Sequence, residues 1–263
     1  MTDSVLNVVL GLVATGISAG LGWLAQTVRR RRRLGRIQAF FGMPAGSDCL
    51  LVVNRKAGSG GSVSRNDVYA LMELSALVKE CGARPELVAH DQVRQGLGAK
   101  AEFCLGGPAS NDRTAAHLRS WLPGIEFALD SDGPPYDLTI RAGEREFAYL
   151  HEPGRPGREV FAVLARLRVG PDARPVFLIA GQTAVSNHAA VRYLLANHRS
   201  LARRYGSDGA FAVVLRVVDS GAYGPDVVDL AADVSDLVAA APAAAPAAAP
   251  AAAPAAAPAP AAG

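Results

Sequence analysis

Hydrophobic residues are distributed along this chain in three ways. Residues 5–28 are almost wholly apolar, with Asn7, Thr15, Ser18 and Gln26 as mild interruptions. That length suits a bilayer span of roughly 20 residues. Further on, short unbroken apolar runs appear at 49–53 (C-L-L-V-V), 103–105, 175–180 (P-V-F-L-I-A) and 210–218 (A-F-A-V-V-L-R-V-V). Unbroken runs rich in β-branched residues predict strands covered on both faces, as in a parallel sheet. Between them the period changes to that of a helix. Residues 67–80 place Val68, Leu71, Met72, Ser75 and Val78 on one predicted core face, after a cap at Ser64 or Asn66 and before Gly82. A second helix starts near Asn111 or Asp112, and a third covers 188–205 through Val191, Leu194, Leu195, Leu201 and Tyr205. Weaker patterns predict strands at 86–89 and 125–129, a hairpin of 138–141 with 146–150, and a closing helix over 226–238.

These elements predict an α/β fold: a Rossmann-like three-layer domain with a mostly parallel sheet and a β-hairpin insertion, preceded by one transmembrane helix. Residues 1–36 form the anchor with its arginines, 37–48 a connector, 45–238 the domain, and 239–263 a tail. The tail repeats Pro-Ala-Ala-Ala with Pro242, Pro246, Pro250, Pro254 and Pro258. Proline at every fourth position forbids a continuous helix, so the tail reads as disordered or semi-extended.

Charge sharpens the first segment. The formal net charge is only +3, but Arg29 to Arg33 and Arg36 follow directly on the apolar stretch. Arginine beside a span stays on the cytoplasmic side, and only Asp3 is charged before it. The expectation is a single-pass cell-membrane protein, N-terminus outside and domain in the cytoplasm, with the lipid bilayer as partner of residues 5–28. A secretory signal would carry its charge before the apolar core, the reverse of this order. Gly16 and Gly20 have the spacing that lets two such helices pack into a homo-oligomer. The arginines also suit anionic lipid headgroups. Elsewhere basic residues are scattered among acids, so no nucleic-acid footprint is expected. Cys49, Cys81 and Cys104 lack paired short spacing, which argues for buried thiols rather than zinc or disulfides.

The candidate chemistry lies where strands end. Residues 102–121 read E-F-C-L-G-G-P-A-S-N-D-R-T-A-A-H-L-R-S-W: a strand, a glycine turn and a helix start. Free backbone N–H groups and the positive helix end at such a junction suit an anion such as phosphate. Gly106, Gly107, Pro108, Ser110, Asn111 and Thr114 are the candidate ligands there; alternatively Asn111 or Asp112 merely caps the helix. The pattern recurs after residue 180, giving Gly181, Thr183, Ser186 and Asn187. The first run ends in N-R-K-A-G-S-G-G-S, where Asn54 and Lys56 are candidates and a plain loop is the alternative. In an open parallel sheet, ligands bind where such loops gather at the carboxyl ends of strands. Asp130, Asp132 and Asp137 read as turn residues, and no metal site is expected. His151 beside Glu152 reads as a solvated loop or an acid/base pair. No catalytic trio is visible, and no cofactor is assigned.

The loops F-C-L-G-G-P-A-S-N and F-L-I-A-G-Q-T-A resemble those of Rossmann-like nucleotide-binding domains of bacterial signalling and conflict systems, the SLOG group. The resemblance covers about residues 49–218 and implies loops that hold nucleotide phosphates, though the fuller P-G-G-x-G-T pattern is missing. V-V-N-R-K-A-G-S-G-G is similar to the first glycine loop of diacylglycerol-kinase-like lipid kinases. That family has G-G-D-G-T where Pro108, Ala109 and Ser110 stand here, so the Asp is absent. The functional expectation is a membrane-anchored sensor or effector domain for a nucleotide-like or phosphate-bearing ligand. The alternatives are an enzyme acting on a nucleotide or lipid headgroup, and a structural membrane protein without a ligand.

Overall fold

The computed structural model describes residues 2–54, 62–93, 96–129, 138–149, 159–170 and 172–239, with the side chains of the first helix described from residue 20. The chain folds around a seven-stranded sheet. In chain order its strands are β1 (Asp48–Val53), β2 (Arg84–Ala89), β3 (Ala101–Leu105), β7 (Val160–Leu167), β8 (Val176–Gly181), β9 (Phe211–Val217) and β10 (Val228–Asp233). They lie side by side as β10-β9-β7-β8-β3-β1-β2. β2, β1, β3 and β8 pair in parallel, whereas β7 is antiparallel to both β8 and β9, and β10 is antiparallel to β9. A separate antiparallel sheet holds β4 (Ile125–Leu129), β5 (Leu138–Ala142) and β6 (Arg145–Ala148). The expected hairpin is present, and residues 125–129 join it rather than the main sheet.

The continuous apolar runs are buried because both sheet faces are covered. Helices α2 (Arg65–Glu80) and α4 (Ala184–Tyr205) pack on one face, together with the end of α1 (Thr2–Phe41). Helix α3 (Asp112–Trp121), the small sheet and Leu237 pack on the other. Helices α2 and α3 follow neighbouring strands yet lie on opposite faces, which opens a crevice at the carboxyl ends of β1 and β3.

Several expectations are corrected. Residues 37–48 are not a simple connector: α1 runs to Phe41, and Ile37, Phe40, Phe41 and Met43 are core residues. The α2 face is rotated, so Val68 and Met72 are exposed while Ala70, Leu74 and Leu77 are buried beside Leu71 and Val78. Helix α4 begins at Ala184, not 188, because Thr183 caps it in a capping box with Ser186. Strand β7 was not foreseen, although it is buried along its whole length. Residues 226–238 form β10 and a single 3-10 turn, Ser235–Leu237, instead of a helix.

Arg166 on β7 fixes α1 to the domain. It is fully buried, its guanidinium donates to the carbonyls of Gly206 at 2.9 Å, Ser207 at 3.0 Å and Gly209 at 2.7 Å, and it lies 4.5 Å from the Phe40 ring centre. Burial pulls its pKa down to about 10. Among the described residues no helix is long and apolar enough to cross a membrane. The side chains of residues 2–19, including Gly16, lie outside the described residues, as do Arg55, Lys56, Asp130, Asp132, Asp137, His151, Glu152 and residues 240–263.

Candidate functional site

The three loops that follow β1, β3 and β8 meet at one end of the sheet, because these strands are neighbours and run the same way. Gly106 has φ +109, and a Cβ there would stand 2.6 Å from Cβ of Asn54. Only glycine allows both the backbone conformation and that approach. A Cβ on Gly107 would stand 3.2 Å from the carbonyl oxygen of Gly181, so the two glycine turns touch. Around them opens a cleft of about 520 Å³ lined by Asn54, Asp67, Gly107, Ser110, Gln182 and Asn187, among others. Pro108, Gly181 and Thr183 also line it. One wall is apolar: Phe127 and Leu129 from β4, and Leu138 from β5.

The floor is a polar network around Asp67, which is 1% exposed on the first turn of α2. Asn187 Nδ2 donates to its Oδ1 at 2.9 Å, and Asn54 Nδ2 donates to its Oδ2 at 3.2 Å. Burial pushes the Asp67 carboxyl above its ordinary value, against the lowering pull of these two amides. Asn187 Oδ1 accepts from Gly181 N at 2.7 Å, tying the β8 turn to the same network. Asn54 Nδ2 also approaches Ser110 Oγ at 3.4 Å. Its Oδ1 is buried and accepts no hydrogen bond among the described residues. A buried acceptor without a donor costs about 1–3 kcal/mol.

The two helix N-termini differ. At α3 the amides are occupied: Asn111 Oδ1 accepts from Arg113 N at 3.0 Å and Thr114 N at 3.1 Å, and His90 Nδ1 takes Asp112 N at 3.3 Å. Asn111 Nδ2 donates to Leu105 O at 2.9 Å. Asn111 and Thr114 are buried away from the cleft lining, as are Gly106 and Ser186. At α4 the capping box uses Thr183 and Ser186, and Gly181 and Gln182 amides are bonded to Asn187 and Phe161. The amides of Ala184 and Val185, in the first turn, have no partner among the described residues. Of the candidate residues, the structure therefore gathers Asn54, Gly107, Pro108, Ser110, Gly181, Thr183 and Asn187 at the cleft, while Lys56 lies outside the described residues.

Two residues were missed. Asp67 reads in sequence as an ordinary acidic residue at a helix start. Gln182 joins the small sheet to the large one: its Nε2 donates to the carbonyls of Phe147 at 2.8 Å and Leu138, and its Oε1 accepts from Phe161 N at 2.7 Å. It thereby positions the apolar wall.

Behind the cleft, Glu102, Cys104 and His117 place three potential metal-ligating atoms within 4.8 Å of one another. Arg113 already occupies both Glu102 oxygens, through Nε at 2.8 Å and Nη2 at 2.8 Å, and a cation would have to displace it. His117 Nε2 lies 3.1 Å from Glu102 Oε1. Burial alone would raise the Glu102 pKa, but hydrogen bonds from Arg113, His117 and Cys104 outweigh it and hold it at about 2. The cluster locks α3 onto β3. The three cysteines are free and buried.

No family model matches this sequence, and no curated protein or solved structure is significantly similar to it.

Proposed function

We propose that the cleft at the carboxyl ends of β1, β3 and β8 binds a nucleotide-like or phosphate-bearing small molecule, in a sensor or effector domain held at the membrane by residues 5–28. The observation that carries this is Asn54 Oδ1, a buried acceptor without a donor among the described residues, on a side chain packed against the Gly106 turn. A ligand N–H or O–H supplies that donor. The amides of Ala184 and Val185, unpartnered among the described residues, offer an anion the start of a 22-residue helix. Phe127, Leu129 and Leu138 offer an apolar surface for a ring. Small-residue loops after strands that hold a phosphate are what the resemblance to SLOG-type domains leads one to expect, and that relationship is part of the proposal. In it the N-terminus faces outward and the domain the cytoplasm, as the six arginines after the apolar stretch direct.

The enzyme alternative draws on Asp67, a buried carboxyl with a raised pKa at the cleft floor. Thermal unfolding of the full chain in detergent, scanned against a nucleotide panel and inorganic phosphate, tests the binding reading. A bound ligand at a hundredfold excess over Kd stabilises by about 2.7 kcal/mol. No shift with any member refutes it, and turnover of a stabilising ligand that Asp67→Asn abolishes favours the enzyme.

A further inference from the structure

The groove between α1 and α4 is ringed by arginine from both helices. Arg29, Arg33 and Arg36 come from α1, Arg199 and Arg203 from α4, and Ile37, Phe40 and Ala202 supply apolar surface within a space of about 610 Å³. A second basic recess, containing Arg32, continues from it through Arg29 and Arg36. Among the described residues no acidic side chain lines either recess. Elsewhere on this surface several arginines find carboxylates: Arg84 pairs with Asp48, Arg141 with Glu146, Arg192 with Asp226, Arg204 with Asp233 and Arg216 with Asp229. Among the described residues Arg29, Arg33, Arg36 and Arg199 have no such partner, and Arg203 reaches the Ser200 hydroxyl at 2.8 Å. Like charges gathered without a counter-charge repel one another, so an external anion stabilises this arrangement.

The geometry points to the kind of anion. Guanidinium forks match phosphate oxygens, and the apolar surface beside them matches the glycerol and upper acyl region of an amphiphile. Arg29 directly follows the apolar stretch, and Arg33 lies about 6 Å further along the helix axis. The headgroup layer of a bilayer is roughly 5–8 Å deep on each side. The α4 arginines border the same groove, so they approach the same level. We propose that the α1–α4 groove binds the phosphate headgroup of an anionic phospholipid and so holds the α4 face of the domain against the bilayer. This inference rests on the reading of residues 5–28 as an anchor.

The test uses the full chain in nanodiscs of phosphatidylcholine alone or mixed with phosphatidylglycerol, with amide hydrogen exchange read over residues 196–205. The proposal expects exchange in the mixed discs to slow at least about fivefold, the effect of one arginine at an anionic surface. It expects the slowing to vanish in R199E/R203E, whose side chains are exposed, and to persist in part in R199K/R203K. Equal exchange in both kinds of disc, with the chain incorporated in both, overturns the headgroup site and leaves the anchor standing. A chain that enters neither disc overturns the anchor reading, and the proposal with it. Slowing in phosphatidylcholine discs by a short DNA duplex, with none by phosphatidylglycerol, overturns the lipid assignment in favour of nucleic acid.

Discussion

Asn187 Nδ2 donates to Asp67 Oδ1 at 2.9 Å, across 120 residues of sequence. The contact joins the first turn of α2 to the first turn of α4, and the other atom of the same amide holds the backbone of Gly181 at 2.7 Å. One side chain thus sets the distance between two of the loops that form the cleft. Asn187→Ala removes both bonds in a site that is 3% exposed, leaving a buried carboxyl short of a donor and a buried N–H without an acceptor. The expected cost is about 3 kcal/mol, read from chemical denaturation.

Glu102 gives the fold a pH dependence of known sign. Its folded pKa of about 2 lies below the ordinary 4.5, so the folded state holds that proton less tightly than the unfolded chain. The contribution is complete above about pH 4.5 and is lost as pH falls through that window towards 2. It amounts to roughly 3 kcal/mol at neutral pH. Glu102→Gln is expected to destabilise at pH 7, and the gap between the two proteins should narrow steadily below pH 4.5 in urea titrations.

The two adjacent glycines have separable duties. Gly106 has φ +109 and no room for a Cβ beside Asn54, so Gly106→Ala is expected to destabilise by at least about 2 kcal/mol. Gly107 needs no left-handed backbone, and its nearest neighbour is the Gly181 carbonyl at 3.2 Å. Gly107→Val crowds that carbonyl, which must give by a few tenths of an ångström, and is expected to lower the unfolding midpoint less than Gly106→Ala does while narrowing the cleft.

The end of α1 belongs to the core. Phe41 is fully buried, its ring 5.3 Å from that of Phe177 and 6.1 Å from that of Phe103. Phe41→Ala should cost about 3–5 kcal/mol in denaturant unfolding. A fragment starting at residue 45 should unfold more easily than the full chain for the same reason.

What sequence could and could not show follows from the range of the interactions. Strands β1, β8 and β9 were legible because burial on both faces leaves unbroken apolar runs, and the loops after β3 and β8 carried their glycines in view. Strand β7 was hidden, although V-F-A-V-L-A-R-L is just such a run, because it follows a glycine- and proline-rich stretch and contains Arg166. A buried arginine is tolerable here through distant groups, the carbonyls at Gly206 to Gly209 some 40 residues away and the Phe40 ring. Strand β10, V-D-L-A-A-D, has the alanines of a helix, and pairing with β9 decides otherwise. In the cleft, Gly107 and Gly181 were foreseen together, but Asp67 was not. Its importance comes from two asparagines on other elements, and nothing in its local sequence distinguishes it from any acid in a first turn. The capping role of Asn111 was one of two open readings, and the bonds to Arg113 and Thr114 account for its side chain.

The central claim is that a small ligand occupies the cleft bordered by the Gly107 and Gly181 turns. Equilibrium dialysis of the nucleotide giving the largest thermal shift, on the full chain and on Gly107→Val, tests it most directly. The account predicts saturable binding near one ligand per chain, reduced at least about tenfold in a Gly107→Val protein that remains folded, a loss of about 1.4 kcal/mol or more. Absence of saturable binding by every nucleotide tried, or equal binding by the folded variant, contradicts it.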